Sequence, residues 1–350
     1  VHFSSDGDWF TIASAGHRVA TYRLVGREQC RTIRLIGHHE VDAIQSLSFS
    51  PDGNMLAIAA GGNGLAVHDT ETDTTWRDLL KGQRVNSVAL LSQPESALVA
   101  TQTKLLSIDF QRPIPSTSAS GPRCFNIETL HSDASDLFAR IDKGQSTVLV
   151  ACRGRGKGAV LDLPDGKLRF GLRDSDAMNN IAISPDGKYS ACGSWHNRHW
   201  VVWDNETGLE VARNEYEHSQ AGVMFSPDGH WLVALLAEEV VFYRVGNWDE
   251  KFRMSRGDFG YPNVAFSNDM KLMAISEMYH VNLYDFATQQ LVAQLHGPGG
   301  LQLSTVNPAA AALEFSRDGR FLAVGTLEDA VLLWDLKQLR SDLRELGLDW

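Results

Sequence analysis

Two short runs of this chain concentrate the residue types that chemistry would use. Gly154-Arg155-Gly156-Lys157-Gly158 combines glycine freedom with two cations, the ingredients of a phosphate-cradling loop. It lacks the spacing of a phosphate loop, and strand-like sequence flanks it on both sides, so no helix N-terminus follows to receive a phosphate. Trp195-His196-Asn197-Arg198-His199-Trp200 places two imidazoles three residues apart, with no third ligand close by in sequence to complete a metal site. What the two runs share is cationic and aromatic character. Arg153, Arg155, Lys157, Trp195, His196, Arg198, His199 and Trp200 therefore form a candidate partner-binding set. Its chemistry suits a carboxylate-rich or phosphorylated segment, which Arg forks grip through paired hydrogen bonds. No catalytic residue, cofactor or metal ligand is assigned.

The elements that must position these runs follow from a phrase that recurs along the chain. An apolar residue is followed by Ser and a turn of the Pro-Asp-Gly type, then by two apolar strands. The clearest copies are Phe49-Ser50-Pro51-Asp52-Gly53, Ile183-Ser184-Pro185-Asp186-Gly187, Phe225-Ser226-Pro227-Asp228-Gly229 and Phe315-Ser316-Arg317-Asp318-Gly319. Weaker copies are Phe3-Ser4-Ser5-Asp6-Gly7, Leu90, Ile141-Asp142-Lys143-Gly144 and Phe266-Ser267-Asn268-Asp269. The spacings between anchors are 46, 41, 51, 42, 42, 41 and 49 residues. A repeat of this length, with short strands separated by polar turns, predicts an all-β propeller of four-stranded blades.

One unit shows the logic. Residues 180–184 read as the inner strand a, Pro185-Asp186-Gly187 as a tight turn, and 189–194 as strand b. Residues 200–204 read as strand c and 209–213 as the outer strand d. Strands b and c are apolar nearly throughout, as expected of sheets covered on both faces by neighbouring blades. Both cationic runs then fall on b–c connections of adjacent blades. Read around the ring, these connections carry His17, Arg18, Lys104, Arg153, Arg155, Lys157, His196, Arg198 and His199 early, and Glu238, Glu239, Glu277, Glu328 and Asp329 late. That order predicts a face with one basic and one acidic arc.

The chain resembles the WD40 repeat family over nearly its whole length. The matching residues are Trp203-Asp204 and Trp334-Asp335 at the ends of c strands, with degenerate forms His68-Asp69, Ile108-Asp109, Leu161-Asp162 and Tyr284-Asp285, and Gly37-His38 before a strand a. The tail is similar to the ending of WD40 regions carried C-terminal to bacterial serine/threonine protein kinases. It runs Leu333-Trp334-Asp335-Leu336-Lys337-Gln338-Leu339-Arg340 and then Leu343-Arg344-Glu345-Leu346-Gly347-Leu348-Asp349-Trp350. No Gly-rich phosphate loop and no His-Arg-Asp element accompany it. The resemblance implies a sensing or scaffolding module of a larger signalling protein, and the opening at Val1, inside a first strand, reads as the start of an excised piece.

The eight anchors predict eight blades, with residues 1–335 as one propeller domain and 336–350 as a C-terminal amphipathic helix. In that helix Asp335 caps the N-terminus, Gln338 stands three residues on, Leu336, Leu339, Leu343 and Leu346 form an apolar stripe, and Gly347 ends it. Seven blades is the alternative. It holds if residues 30–36 supply the outer strand of the last blade, leaving 1–27 outside the ring.

Composition narrows the function. A net charge of −11 argues against a general nucleic-acid-binding role. Cys30, Cys124, Cys152 and Cys192 have no metal-binding spacing and read as thiols. No apolar run is long enough to span a membrane, and the compartment read from the cysteines is cytoplasmic, the alternative being the extracytoplasmic part of a membrane-anchored kinase. Propeller enzymes are the rival class. A quinoprotein-like reading rests on Asp162-Leu163-Pro164-Asp165-Gly166-Lys167, but Phe170 stands where a Trp is expected. A lactonase-like reading would gather Asp42, Asn86, Asn179, Asn263 and Glu314 in the central channel around a cation. The expected function is a non-catalytic protein-interaction or sensory platform without a cofactor.

Overall fold

The computed structural model describes residues 2–3, 9–13, 19–23, 29–35, 44–80, 82–92, 96–109, 123–125, 136–153, 155–194, 198–217, 221–256, 262–297, 313–327, 330–345 and 347. Seven four-stranded antiparallel sheets are arranged as blades around a central channel. Their inner strands are Ser46–Phe49, Val85–Leu90, Leu137–Ile141, Asn180–Ile183, Gly222–Phe225, Val264–Phe266 and Leu313–Phe315. Each ends on one of the apolar anchors. Blade 4 shows the full unit: Asn180–Ile183, Tyr189–Gly193, His199–Asp204 and Glu210–Glu215, close to the strands read from sequence. Its b strand beyond Tyr189 and its c strand up to Trp203 are buried, whereas the outer strand alternates exposed and half-buried residues.

The recurrent phrase is a closed hydrogen-bond circuit. In blades 4, 6 and 7 the Ser hydroxyl (Ser184, Ser267, Ser316) donates to the Asp two residues on, at 2.6, 2.7 and 2.6 Å. The same carboxylate accepts the backbone N–H of Lys188, Lys271 or Arg320, and the Ser oxygen accepts the N–H that opens strand b, from Tyr189, Leu272 or Phe321. Blades 1 and 5 repeat the circuit at Ser50 and Ser226. The glycine that follows takes a left-handed φ near 70° in blades 4, 5 and 7, which is why Gly is the residue written there. Ser-x-Asp-Gly is thus a turn device that satisfies its own backbone.

The Asp that ends strand c works in a similar way. Asp204 accepts the N–H groups of Glu206 and Thr207, and Asp69 those of Glu71 and Thr72, so each folds the chain back into an outer strand. In blade 7 Asp335 accepts the N–H of Gln338 at 3.0 Å, and the chain continues as the helix Leu336–Glu345 instead. The reciprocal half of the expected capping pair is absent. The Asp335 N–H donates to the Gln29 carbonyl, and the Gln338 side chain donates to Asp342. Leu336, Leu339 and Leu343 are buried in the core shared by blades 6 and 7; Leu346 lies outside the described residues.

The expected eight blades are overturned. Because the last blade runs into a helix, its c strand Ala330–Asp335 has no outer partner from its own end of the chain. Cys30–Arg34 fills that edge, pairing antiparallel from Ala330 opposite Arg34 to Trp334 opposite Cys30. Blades 7 and 1 then meet directly. Ile33 and Leu35 join Phe49, Ile58, Phe321 and Leu333 in one core, and the rings of Phe49 and Phe321 stack at 6.4 Å. That seam leaves no gap for an eighth sheet. The strands His2–Phe3, Trp9–Ala13 and Val19–Arg23 form a separate three-stranded sheet outside the ring, with His2–Phe3 running beside the blade 6 outer strand Leu291–His296. That lateral contact ties this small sheet to the ring. Among the described residues no helix is long and apolar enough to cross a membrane.

Candidate interaction surfaces

Each inner strand pairs with its own b strand on one edge and turns the other edge toward the channel. Its exposed N–H groups therefore need acceptors, and the preceding blade supplies them through side chains. Ser48 Oγ accepts the Leu90 N–H at 2.9 Å, Ser87 Oγ that of Ala139 at 2.9 Å, and Asn180 Oδ1 that of Val223 at 2.7 Å. At the closing seam Glu314 Oε1 accepts the Phe49 N–H at 3.1 Å. Short polar residues recur on inner strands because they staple one blade to the next.

Asn86 and Glu314, which a lactonase-like reading would bring around a cation, lie on these inner strands. The channel encloses about 310 Å³, lined by all seven inner strands, with Arg140 and Glu314 among the lining residues. Burial pushes the Glu314 carboxyl up to about 8, against the Phe49 N–H and the Arg140 charge. Burial also lowers the Arg140 guanidinium, and one of its nitrogens donates to the Ala139 carbonyl at 3.0 Å. Asn86 donates to the Leu137 carbonyl of the next blade, and the Asn263 N–H donates to Ser276. Asp42 lies outside the described residues. Among the described residues no group of three His, Cys, Asp or Glu side chains is placed to hold a metal.

The b–c connections form the opposite face from the Ser-Asp turns. Arg153 follows strand b of blade 3, its N–H donating to the Asp136 carbonyl and its guanidinium lying 5.8 Å from the Phe138 ring centre. Burial lowers that guanidinium, opposed by Asp136. Arg155 opens strand c opposite Met178, and Lys157 is exposed opposite Arg173. On blade 4 Arg198 is exposed, in a left-handed backbone conformation, and donates to the Glu217 carbonyl. Trp195 and His196 lie outside the described residues.

His199 and Trp200 stand elsewhere: both are buried in strand c. Trp200 Nε1 donates to the Tyr216 hydroxyl at 3.1 Å, Tyr216 and Tyr243 share a 2.8 Å hydrogen bond, and the Trp200 and Tyr243 rings meet edge to face. Burial raises both phenols, Tyr216 the more strongly, so the network stays neutral. These residues lock blade 4 to blade 5. The apolar run 200–203, already read as strand c, was the available signal, since that strand begins at His199.

The late arc is less acidic than its sequence suggests. Glu239 pairs with Arg253 at 2.9 Å. Glu277 pairs with Arg256 at 2.8 Å, with side chains only 4% and 2% exposed. Arg256 also donates to the carbonyls of Ala237 and Ser276, tying the blade 5 b–c connection to blade 6. Glu328 and Asp329 lie outside the described residues. A buried pair of this kind is costly to halve. Glu277→Ala should lower the unfolding free energy by about 3–5 kcal/mol, because it strands a buried guanidinium. Urea unfolding followed by tryptophan fluorescence checks this, and a change under about 1 kcal/mol would show that the site admits water.

Comparison with known proteins agrees with this architecture. The profile described as "WD domain, G-beta repeat" matches residues 28–67. That stretch runs from the closing strand Cys30–Arg34 through strands a and b of blade 1 into its strand c, so one sequence repeat straddles the seam where the ring shuts. Pre-mRNA-processing factor 19 of Oryza sativa subsp. japonica is 24% identical over 221 residues, which is 61% of this chain and 40% of that protein. The chain thus spans well under half the length of the relative it matches. The repeat match, the relative and the ring of seven four-stranded blades together support a WD40-repeat β-propeller, a type of protein-interaction module.

Proposed function

We propose that this propeller is a non-catalytic protein-interaction platform, serving as one module of a larger signalling protein. It engages an acidic or phosphorylated partner segment through the b–c connections of blades 3 and 4. One observation carries the reading. Lys157 and Arg198 are exposed on neighbouring blades, while Glu239 and Glu277 of the following blades are ion-paired to Arg253 and Arg256. The face therefore presents exposed cations in one place and has part of its negative charge ion-paired in another. Arg155 and Arg153 belong to the same connection of blade 3, Arg153 as a half-buried support beside Asp136. The resemblance of the tail to kinase-borne WD40 regions supports the signalling context.

The test is an array of acidic and phosphoserine-containing peptides, read by fluorescence anisotropy against the full chain and its Lys157→Glu/Arg198→Glu variant. Reversing two exposed charges should weaken binding roughly tenfold, equivalent to about 1.4 kcal/mol. Stability should stay within about 0.5 kcal/mol, as for other surface sites. Added salt should erode the difference, with a screening length of about 8 Å near physiological strength. Peptides that bind both proteins equally would remove these loops from the interface.

A further inference from the structure

The face opposite the b–c connections carries a larger feature. A groove of about 930 Å³ runs between the turns of blades 6 and 7 and the C-terminal helix. Three separate elements line it with cations: Lys271 from the blade 6 turn, Arg317 and Arg320 from the blade 7 turn, and Lys337, Arg340 and Arg344 from the helix. Three carboxylates, Asp269, Asp285 and Asp318, line it as well. On a chain of net charge −11, six cations against three acids is a local reversal of sign.

The carboxylates are already engaged. Asp269 and Asp318 close the Ser-Asp turns, and Asp285 accepts from the N–H and hydroxyl of Thr288. Among the cations, Lys271 lies 3.4 Å from Asp269, and the others stand on the blade 7 turn and the helix. Leu336, Leu339 and Leu343 fix the helix by its buried face, and spacings of three and four residues then align Lys337, Arg340 and Arg344 along another. Arg317 stands where the equivalent turns of blades 1, 4 and 5 have Pro51, Pro185 and Pro227, so the turn that meets the helix exchanges a proline for an exposed guanidinium. Arg320 is braced by a two-nitrogen contact with Asp335, which also caps the helix. Among the described residues the side chains of Arg317 and Lys337 make no hydrogen bond or ion pair.

We propose that this groove between blades 6 and 7 and the C-terminal helix docks an extended, carboxylate-rich peptide segment of a partner protein. Charge complementarity favours an anion, and guanidinium forks match carboxylates two bonds at a time. The interspersed aspartates favour a peptide, whose spaced side chains can avoid them, over a continuous phosphate backbone, which would meet all three. This site is independent of the b–c face and uses other residues.

Fluorescence anisotropy with fluorescein-labelled hexaglutamate, on the full chain at low salt, tests it. Binding should weaken at least roughly tenfold in Arg317→Glu/Lys337→Glu. It should weaken by a smaller factor in Arg317→Gln/Lys337→Gln, which keeps shape and loses only charge, and should persist in Lys157→Glu/Arg198→Glu. Thermal unfolding of each variant confirms that the fold is intact. Three results would overturn the proposal: equal binding by the Arg317→Glu/Lys337→Glu variant, loss of binding in the b–c face variant alone, or oligo-dT of matched charge binding as tightly as hexaglutamate.

Discussion

A chain that begins at residue 37 should fail to form a closed, monomeric ring. Removing residues 1–36 deletes Cys30–Arg34, the partner of Ala330–Asp335, and leaves the outer edge of this buried c strand open along its length. It also removes Ile33 and Leu35, each 5% exposed, from the core that seals blade 7 to blade 1. Two buried aliphatic side chains are worth roughly 3–6 kcal/mol before any relaxation. Ordering the strand costs entropy that partly offsets this figure, but the whole stability of a domain is only about 5–15 kcal/mol. Size-exclusion chromatography and near-ultraviolet circular dichroism should therefore show oligomers or a loosened core. A chain beginning at residue 29 keeps the closing strand and should remain folded. If the shorter chain were a monomer with unchanged melting temperature, closure by Cys30–Arg34 would be refuted.

Truncation after Asp335 should be nearly as damaging. Leu336, Leu339 and Leu343 are 2%, 1% and 4% exposed, and they pack with Leu313, Phe315 and Trp334 between blades 6 and 7. Losing three buried leucines costs roughly 5–9 kcal/mol before relaxation. Asp335 would keep Arg320 but lose its helix-capping role, and the apolar wall behind it would open to solvent. The expected outcome is a melting temperature several degrees lower, with increased binding of an apolar dye. An unchanged melting temperature would mean that the helix is an arm free of the ring.

What could be read from the sequence divides along the range of the interactions. The turns were legible because Ser184, Asp186 and Gly187 satisfy one another within a few residues, and the same short circuit repeats in other blades. Apolar runs such as Met55–Ala59 and Leu65–Asp69 announced strands buried on both faces. The blade count was not legible locally. Phe3-Ser4-Ser5-Asp6-Gly7 carries the right phrase, and Cys30–Arg34 would serve as outer strand to the first unit or to the last. The choice falls to an edge that only the finished ring exposes. The partners of the channel and face residues were not legible for a related reason. Glu314 looks the same in sequence whether it binds a cation or receives the Phe49 N–H, and nothing near Glu277 announces that Arg256 will be its buried partner.

The closing strand also sets an order of events. During synthesis Cys30–Arg34 is made long before its partner Ala330–Asp335. At about 5–20 residues per second the wait is on the order of tens of seconds, far longer than hairpins take to form. For that interval the nascent chain holds an unsatisfied strand and a half-built ring, a state open to pairing with another molecule. The strand reads Cys30-Arg31-Thr32-Ile33-Arg34, with a charge at two of its five positions. Such gatekeeping charges discourage edge-to-edge association. Once the ring shuts, Arg31 turns to Asp73 and to the Thr70 carbonyl of blade 1, so a residue suited to keeping the waiting strand apart ends as part of the latch.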